Sequence, residues 1–145
     1  MEPHAELSAH LLAFVDVLQR MYTPILEQTG LTRLRWAILH LADERAPLTL
    51  TELTKFLDMP KSNVTYHIDW LEEAGYVERR PSSEDRRVTF LAVTEKGLEK
   101  VHLVPGMIKE RLARFAGRVP PEELALMDAG LKLLVERSAL LLEDG

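Results

Sequence analysis

Apolar residues recur three and four positions apart through Leu7, Leu11, Phe14, Val15, Leu18, Tyr22 and the Ile25–Leu26 pair. That spacing puts them on one face of a helix and predicts an amphipathic helix over 5–28. Pro24 is expected to bend or end its last turn, because the ring removes a backbone donor and crowds the turn before it. Gly30 marks the break. Leu34, Ile38 and Leu41 repeat the pattern and predict a second helix from Leu31 to Glu44, ending before Ala46–Pro47.

Thr49-Leu50-Thr51-Glu52 has the T-x-x-E form of a capping box, in which each side chain satisfies a backbone donor at a helix start. A short helix follows through Leu53, Phe56 and Leu57. Asp58-Met59-Pro60 makes a tight turn, with Pro60 suited to the first position of the next helix. That helix spans Lys61 to Ala74, buries a Val64/Ile68/Leu71 stripe and stops at Gly75. The period then changes to two. Residues 76–80 and 88–93 are strand-like, joined by the polar hairpin loop 81–87. Thr94-Glu95-Lys96-Gly97 opens a long helical stretch towards Gly117, interrupted at Pro105–Gly106, where it either kinks or splits in two. A final helix begins at Pro120–Pro121 and is expected to run to Leu142.

Composition narrows the class. Of the 145 residues, 46% are hydrophobic and 28% charged, the balance of a folded chain and not a disordered one. No apolar run reaches the ~20 residues of a membrane span, and the first residues lack the basic and apolar segments of a secretion signal, so a cytoplasmic location without membrane contact is expected. Cysteine is absent, which excludes disulfides, thiol redox sensing and thiolate metal sites. The five histidines (His4, His10, His40, His67, His102) are scattered without an i,i+4 pair, and no metal site is expected. There is no Gly-rich phosphate loop, no G-x-S-x-G and no H-E-x-x-H; neither a catalytic activity nor a cofactor is expected.

The central order is short helix, turn, helix, strand, polar loop, strand: a helix-turn-helix followed by a wing. The second helix of such a motif enters the major groove, with residues near its N-terminus reaching base edges. Here those are Lys61, Ser62, Asn63, Thr65, Tyr66 and His67, mostly off the buried stripe. Asn63 suits adenine, Thr65 offers a hydroxyl or a methyl, and Lys61 suits phosphate or guanine. Arg86 and Arg87 on the loop, with Arg79 and Arg80 at the strand end, add cations of the kind that enter a narrow minor groove. The net charge is −5, and residues 61–87 hold five basic groups against six acidic ones. Binding must therefore rest on a few well-placed contacts. The same charge balance keeps open a second reading, a winged-helix module that docks a protein partner.

At these residues the sequence resembles the MarR family of transcriptional regulators, whose wing signature is D-x-R, five residues, then L-T-x-x-G. The chain matches at Asp85, Arg87, Thr94 and Gly97, with Val93 in place of Leu. Val64-Thr65, Leu71-Glu72, Gly75-Tyr76-Val77 and Arg79-Arg80 also look like the family's pattern. Tyr66 stands where the family usually has Arg, and Trp70 at a commonly polar position. The resemblance implies a mainly α (α+β) fold: a winged helix-turn-helix domain at 31–97, with an N-terminal helix (1–30) and C-terminal helices (98–145) forming a dimerisation stalk. It implies a homodimer binding double-stranded DNA at a pseudo-palindromic operator as a repressor, with Arg87 in the minor groove and Asp85 supporting it. It further implies a small hydrophobic or aromatic effector, for which Tyr22, Trp36, His40 and Trp70 are the candidate pocket residues; packing in the core is their competing role.

Overall fold

The computed structural model describes residues 2–143. The elements run α1 (Pro3–Thr29), α2 (Arg33–Glu44), β1 (Leu48–Thr49), α3 (Leu50–Leu57), α4 (Lys61–Glu73), β2 (Val77–Pro81), β3 (Thr89–Val93), α5 (Glu95–Ala116), α6 (Pro121–Glu136) and α7 (Ser138–Leu142). The mainly helical fold with a small sheet is the one expected. The chain forms two compact units, one up to Met107 and one from Ile108 onward.

In the first unit, α2, α3 and α4 pack on an antiparallel sheet of order β1-β3-β2. The predicted stripe Val64/Ile68/Leu71 is buried, together with Ile38, Leu39, Leu48, Leu53, Val77 and Leu91. Each such side chain contributes about 1.5–3 kcal/mol by leaving water. The capping box is present in full: Thr49 Oγ1 accepts from Glu52 N–H, and Glu52 accepts from Thr49 N–H.

One junction sets the path from α4 into the wing. Gly75 adopts φ +83°, the left-handed region that a side chain resists. The N–H groups of Gly75 and Tyr76 donate back to the carbonyls of Glu72 and Leu71, closing the helix in a Schellman motif. Thr94 Oγ1 donates to Gly75 O (2.6 Å) and accepts from Gly97 N–H (3.1 Å), tying the turn to the start of α5. Lys96 Nζ donates to Ala74 O, and Lys100 Nζ to Thr29 O, so two cations of α5 complement the negative ends of α4 and α1. Both ammonium groups lie over the Tyr76 ring.

Four expectations need correction, and one element was not expected. Helix α1 continues through Pro24 to Thr29, and α5 through Pro105–Gly106 to Ala116. Both prolines are exposed, so each ring removes a helix hydrogen bond without disturbing the packed face. The last helix divides at Arg137, whose backbone (φ −97°, ψ 4°) leaves the helical range. Pro60 precedes α4 as its N-cap instead of opening it, with an extended ψ of 138°. The two-residue strand β1, pairing Leu48 with Leu91 and Thr49 with Phe90, lies beyond the resolution of a period-two pattern.

In the second unit, α6 and α7 bury no residue completely. Leu126, Met127, Leu131, Leu133 and Val135 are exposed, as are Leu140, Leu141 and Leu142.

A Cβ at Gly97 would overlap the Tyr76 carbonyl oxygen and crowd Val93, whereas at Gly106 it would meet nothing within 4 Å. Gly97→Ala is therefore expected to lower stability by about 1–3 kcal/mol. Gly106→Ala, within a helix, is expected to raise it by about 0.5–1 kcal/mol. Urea denaturation of the two variants measures the contrast; equal midpoints would contradict the close approach at the junction.

Candidate nucleic-acid interface

Burial of the Val64/Ile68/Leu71 stripe fixes which side of α4 faces outward. Lys61, Ser62, Asn63 and Tyr66 are exposed, Tyr66 at 65%; Thr65 and His67 are half-buried on the flanks. The sequence thus places six polar or hydrogen-bonding side chains on the first two turns, four of them exposed.

Strand alternation separates the two arginines of β2. Val77 and Arg79 share the face that packs on the helices, opposite Val93 and Leu91, while Glu78 and Arg80 lie on the other face. Arg79, with its side chain only 25% exposed, turns back to α4 and forms ion pairs with Asp69 and with Glu72 (2.7 Å to the latter). Its backbone N–H also donates to Glu72 Oε2 (3.1 Å). Burial opposes the charge of this guanidinium, but the hydrogen bonds it donates to both carboxylates, and their charges, overcome it and raise its pKa above the ordinary arginine value. Arg79 is thereby a clamp between helix and wing strand. Arg80 is exposed and pairs with Glu78 at 3.2 Å.

The wing loop is built on two polar side chains. Ser82 Oγ accepts from the N–H groups of Glu84 and Asp85, and Val88 N–H donates to Asp85 O. The Asp85 carboxylate accepts from Arg87 three times: from the backbone N–H (2.9 Å), from Nε (3.2 Å) and from the terminal nitrogen (3.2 Å). These bonds, side chain first and backbone second, outweigh desolvation and hold the Asp85 carboxyl below the usual carboxylate range. Arg87 is nonetheless 90% exposed, so its orientation is guided while its outer edge stays in water. Arg86 is exposed beside it.

Of the four pocket candidates, three come together. Tyr22 meets Trp36 edge-on at 6.2 Å, and His40 stacks on Trp36 at 4.9 Å. Burial pushes the Tyr22 phenol upward, with Arg33 partly opposing. Among the described residues the Trp36 indole Nε1 is buried without a hydrogen-bond partner, a donor whose desolvation is uncompensated. Trp70 packs instead against Tyr76 and beneath the guanidinium of Arg35, 4.0 Å from its ring centroid. None of the four lines an open cavity of about 530 Å³ beside β3, bounded by Asp43, Pro47, Arg80, Phe90, Ala92 and Leu98. Arg35, which also bonds His67, was not among the residues singled out by sequence; a lone arginine on a helix carries no pattern that marks it.

Among the described residues no cluster of His, Asp or Glu could hold a metal ion, and no helix is long and apolar enough to cross a membrane.

Comparison with known proteins adds an independent line. The family model described as MarR family matches residues 31–89, the span from α2 to the start of β3. The HTH-type transcriptional regulator FarR of Neisseria gonorrhoeae is 30% identical over 124 residues, covering 86% of this chain and 85% of that protein. Among solved structures, a MarR family protein from Bacillus stearothermophilus superposes with a TM-score of 0.83 at 24% identity, covering 96% of this chain and 99% of that one. FabT of Streptococcus pneumoniae, solved in complex with DNA, gives a TM-score of 0.75 at 24% identity, with 95% and 99% covered. With its helix-turn-helix, its arginine wing and these relatives, the chain belongs to the MarR family of winged helix-turn-helix transcriptional regulators.

Proposed function

We propose that the chain acts as a homodimeric repressor, each copy setting α4 in the major groove of one half of a pseudo-palindromic operator and Arg87 in the neighbouring minor groove. The observation that carries this reading is the pairing of a polar, solvent-facing α4 with a loop that presents Arg86 and Arg87 outward. Half-sites would be ~10 bp apart, one helical turn. The DNA complex of FabT, a protein of the same fold, supports duplex DNA as the partner.

A second copy is the occupant that suits the exposed apolar faces. Leu7, Leu11, Phe14 and Leu18 on α1, and Leu131, Leu133 and Val135 on α6, remain in water in a single chain. Apolar side chains left in water on this scale are normally covered by a partner. In this reading residues 1–30 and 98–145 form the stalk and 31–97 the reading head. A small aromatic or hydrophobic effector would enter beside Tyr22, Trp36 and His40, where a ligand oxygen would satisfy the orphaned indole N–H of Trp36.

A protein-docking role is favoured by one observation only: Arg79, Arg80 and Arg87 already carry carboxylate partners. Selection from random duplexes separates the two, since a docking module enriches no motif.

Each wing arginine neutralises one phosphate in this reading, so Arg87→Ala in both subunits is expected to make the dependence of log K on log salt about two units shallower. Arg79→Ala should lower thermal stability while leaving that slope nearly unchanged. Gel-shift titration across salt concentrations distinguishes them, and an unaltered slope for Arg87→Ala would refute the wing contact. Sedimentation equilibrium is expected to give twice the chain mass; a single-chain mass at micromolar concentration would end the dimer reading.

The depressed pKa of Asp85 sets a pH window. The order it gives the wing is present above the ordinary carboxylate pKa of about 3.9 and is lost as pH falls through the lower folded value. The Arg87 amide resonance is thus expected to titrate with a midpoint below about 3.9, and Asp85→Asn to abolish the titration. A midpoint at or above the ordinary value would show that the carboxylate is not held by Arg87.

A further inference from the structure

Arg35 lies in the first turn of α2, outside the helix-turn-helix, where its N–H is held by Thr32 Oγ1 at 3.2 Å. Its guanidinium reaches α4 at two points. It stacks over the Trp70 ring at 4.0 Å, and its Nε–H donates to Nδ1 of His67 at 3.3 Å. A guanidinium only donates, so the imidazole nitrogen facing it must be the bare one. The single proton of a neutral imidazole then sits on Nε2. Burial, and next the charge of Arg35, keep His67 neutral by lowering its pKa. Among the described residues no side-chain or backbone group accepts from Nε2, while the exposed Tyr66 ring stands edge-on to the imidazole at 5.2 Å.

We propose that Arg35 is a positioning residue for base recognition: it locks His67 in the Nε2–H form, so that the flank of α4 offers a fixed donor to an acceptor on a purine edge, N7 or guanine O6. This deepens the assignment of α4 to the major groove and rests on it. The acceptors on that edge are those a lone N–H can read. Without the lock, His67 is free to exchange tautomers and to present either a donor or an acceptor at the same place, and discrimination is lost. Lysine cannot replace the arginine, because an ammonium lacks both the flat face that covers Trp70 and the inward Nε–H.

Two measurements on the full-length protein test the proposal. Nitrogen-15 NMR of the free protein, with the His67 signals assigned through H67Q, is expected to show the Nε2–H form alone in the wild type and a tautomer mixture in R35K and R35M. Selection from random duplexes is expected to return a purine at one position per half-site. H67Q, whose amide donates near the place of Nε2, should retain that preference; H67N and R35K should weaken it about 3- to 10-fold, the worth of one hydrogen bond. Circular dichroism melts check folding; if R35M unfolds, R35K and H67N carry the comparison. A wild-type Nδ1–H or mixed tautomer overturns the lock, and an unchanged preference in R35K overturns its role in reading. A wild type that enriches no motif overturns the major-groove assignment and the base preference with it, while the NMR result judges the lock independently.

Discussion

The relation between α4 and the wing depends on a single reversal of the chain at Gly75. A left-handed residue turns the backbone, the Schellman bonds close the helix behind it, and Thr94 grips the turn from the other side of the hairpin. Gly97 lets the first turn of α5 lie against the Tyr76 carbonyl with no side chain between. Arg79, the third residue of β2, supplies the second fixing point by bridging to Asp69 and Glu72. Helix and wing therefore behave as one body, since neither can rotate without breaking charge-assisted bonds worth more than neutral ones. That coupling matters to any contact shared by helix and loop, because an error in angle at the helix becomes a displacement at the tip of the loop.

Much of this was legible in the residues. The helix faces, the capping box at Thr49–Glu52, the stop at Gly75 and the polar loop each follow from local chemistry, and the structure contains them. The D-x-R pair was legible as a unit, and Asp85 does hold Arg87. What was less visible depended on partners distant in sequence. The period-two rule already implies that Arg79 shares the inner face of Val77, yet nothing local says that two acids of α4 await it there. Pro24 and Pro105 do not end their helices for a related reason: a proline on an exposed face costs a hydrogen bond, but tertiary packing of the other face keeps the helix continuous. Strand β1 is two residues long, too short to leave a periodic trace.

Charge is used sparingly throughout. The chain carries a net −5, and several of its cations are spent internally: Arg79 on α4, Lys96 and Lys100 on carbonyls, Arg35 on an aromatic ring and an imidazole. Among the described residues Lys61 and Arg86 form no ion pair, and Arg87 keeps its outer edge in water. A surface with so few free cations attracts a polyanion only where those groups arrive together. That favours discrimination over raw affinity, because a misaligned approach gains little from the remaining surface.

The two lysines of α5 give that helix a further significance. One is bonded to the last carbonyl of α1 and the other to the terminal carbonyl of α4, and a single tyrosine ring lies beneath both. Sliding or twisting α5 by even one ångström stretches both tethers at once. A displacement of the first turns of α5 is thus passed to the C-terminal end of α4 through a direct hydrogen bond, without the core having to melt.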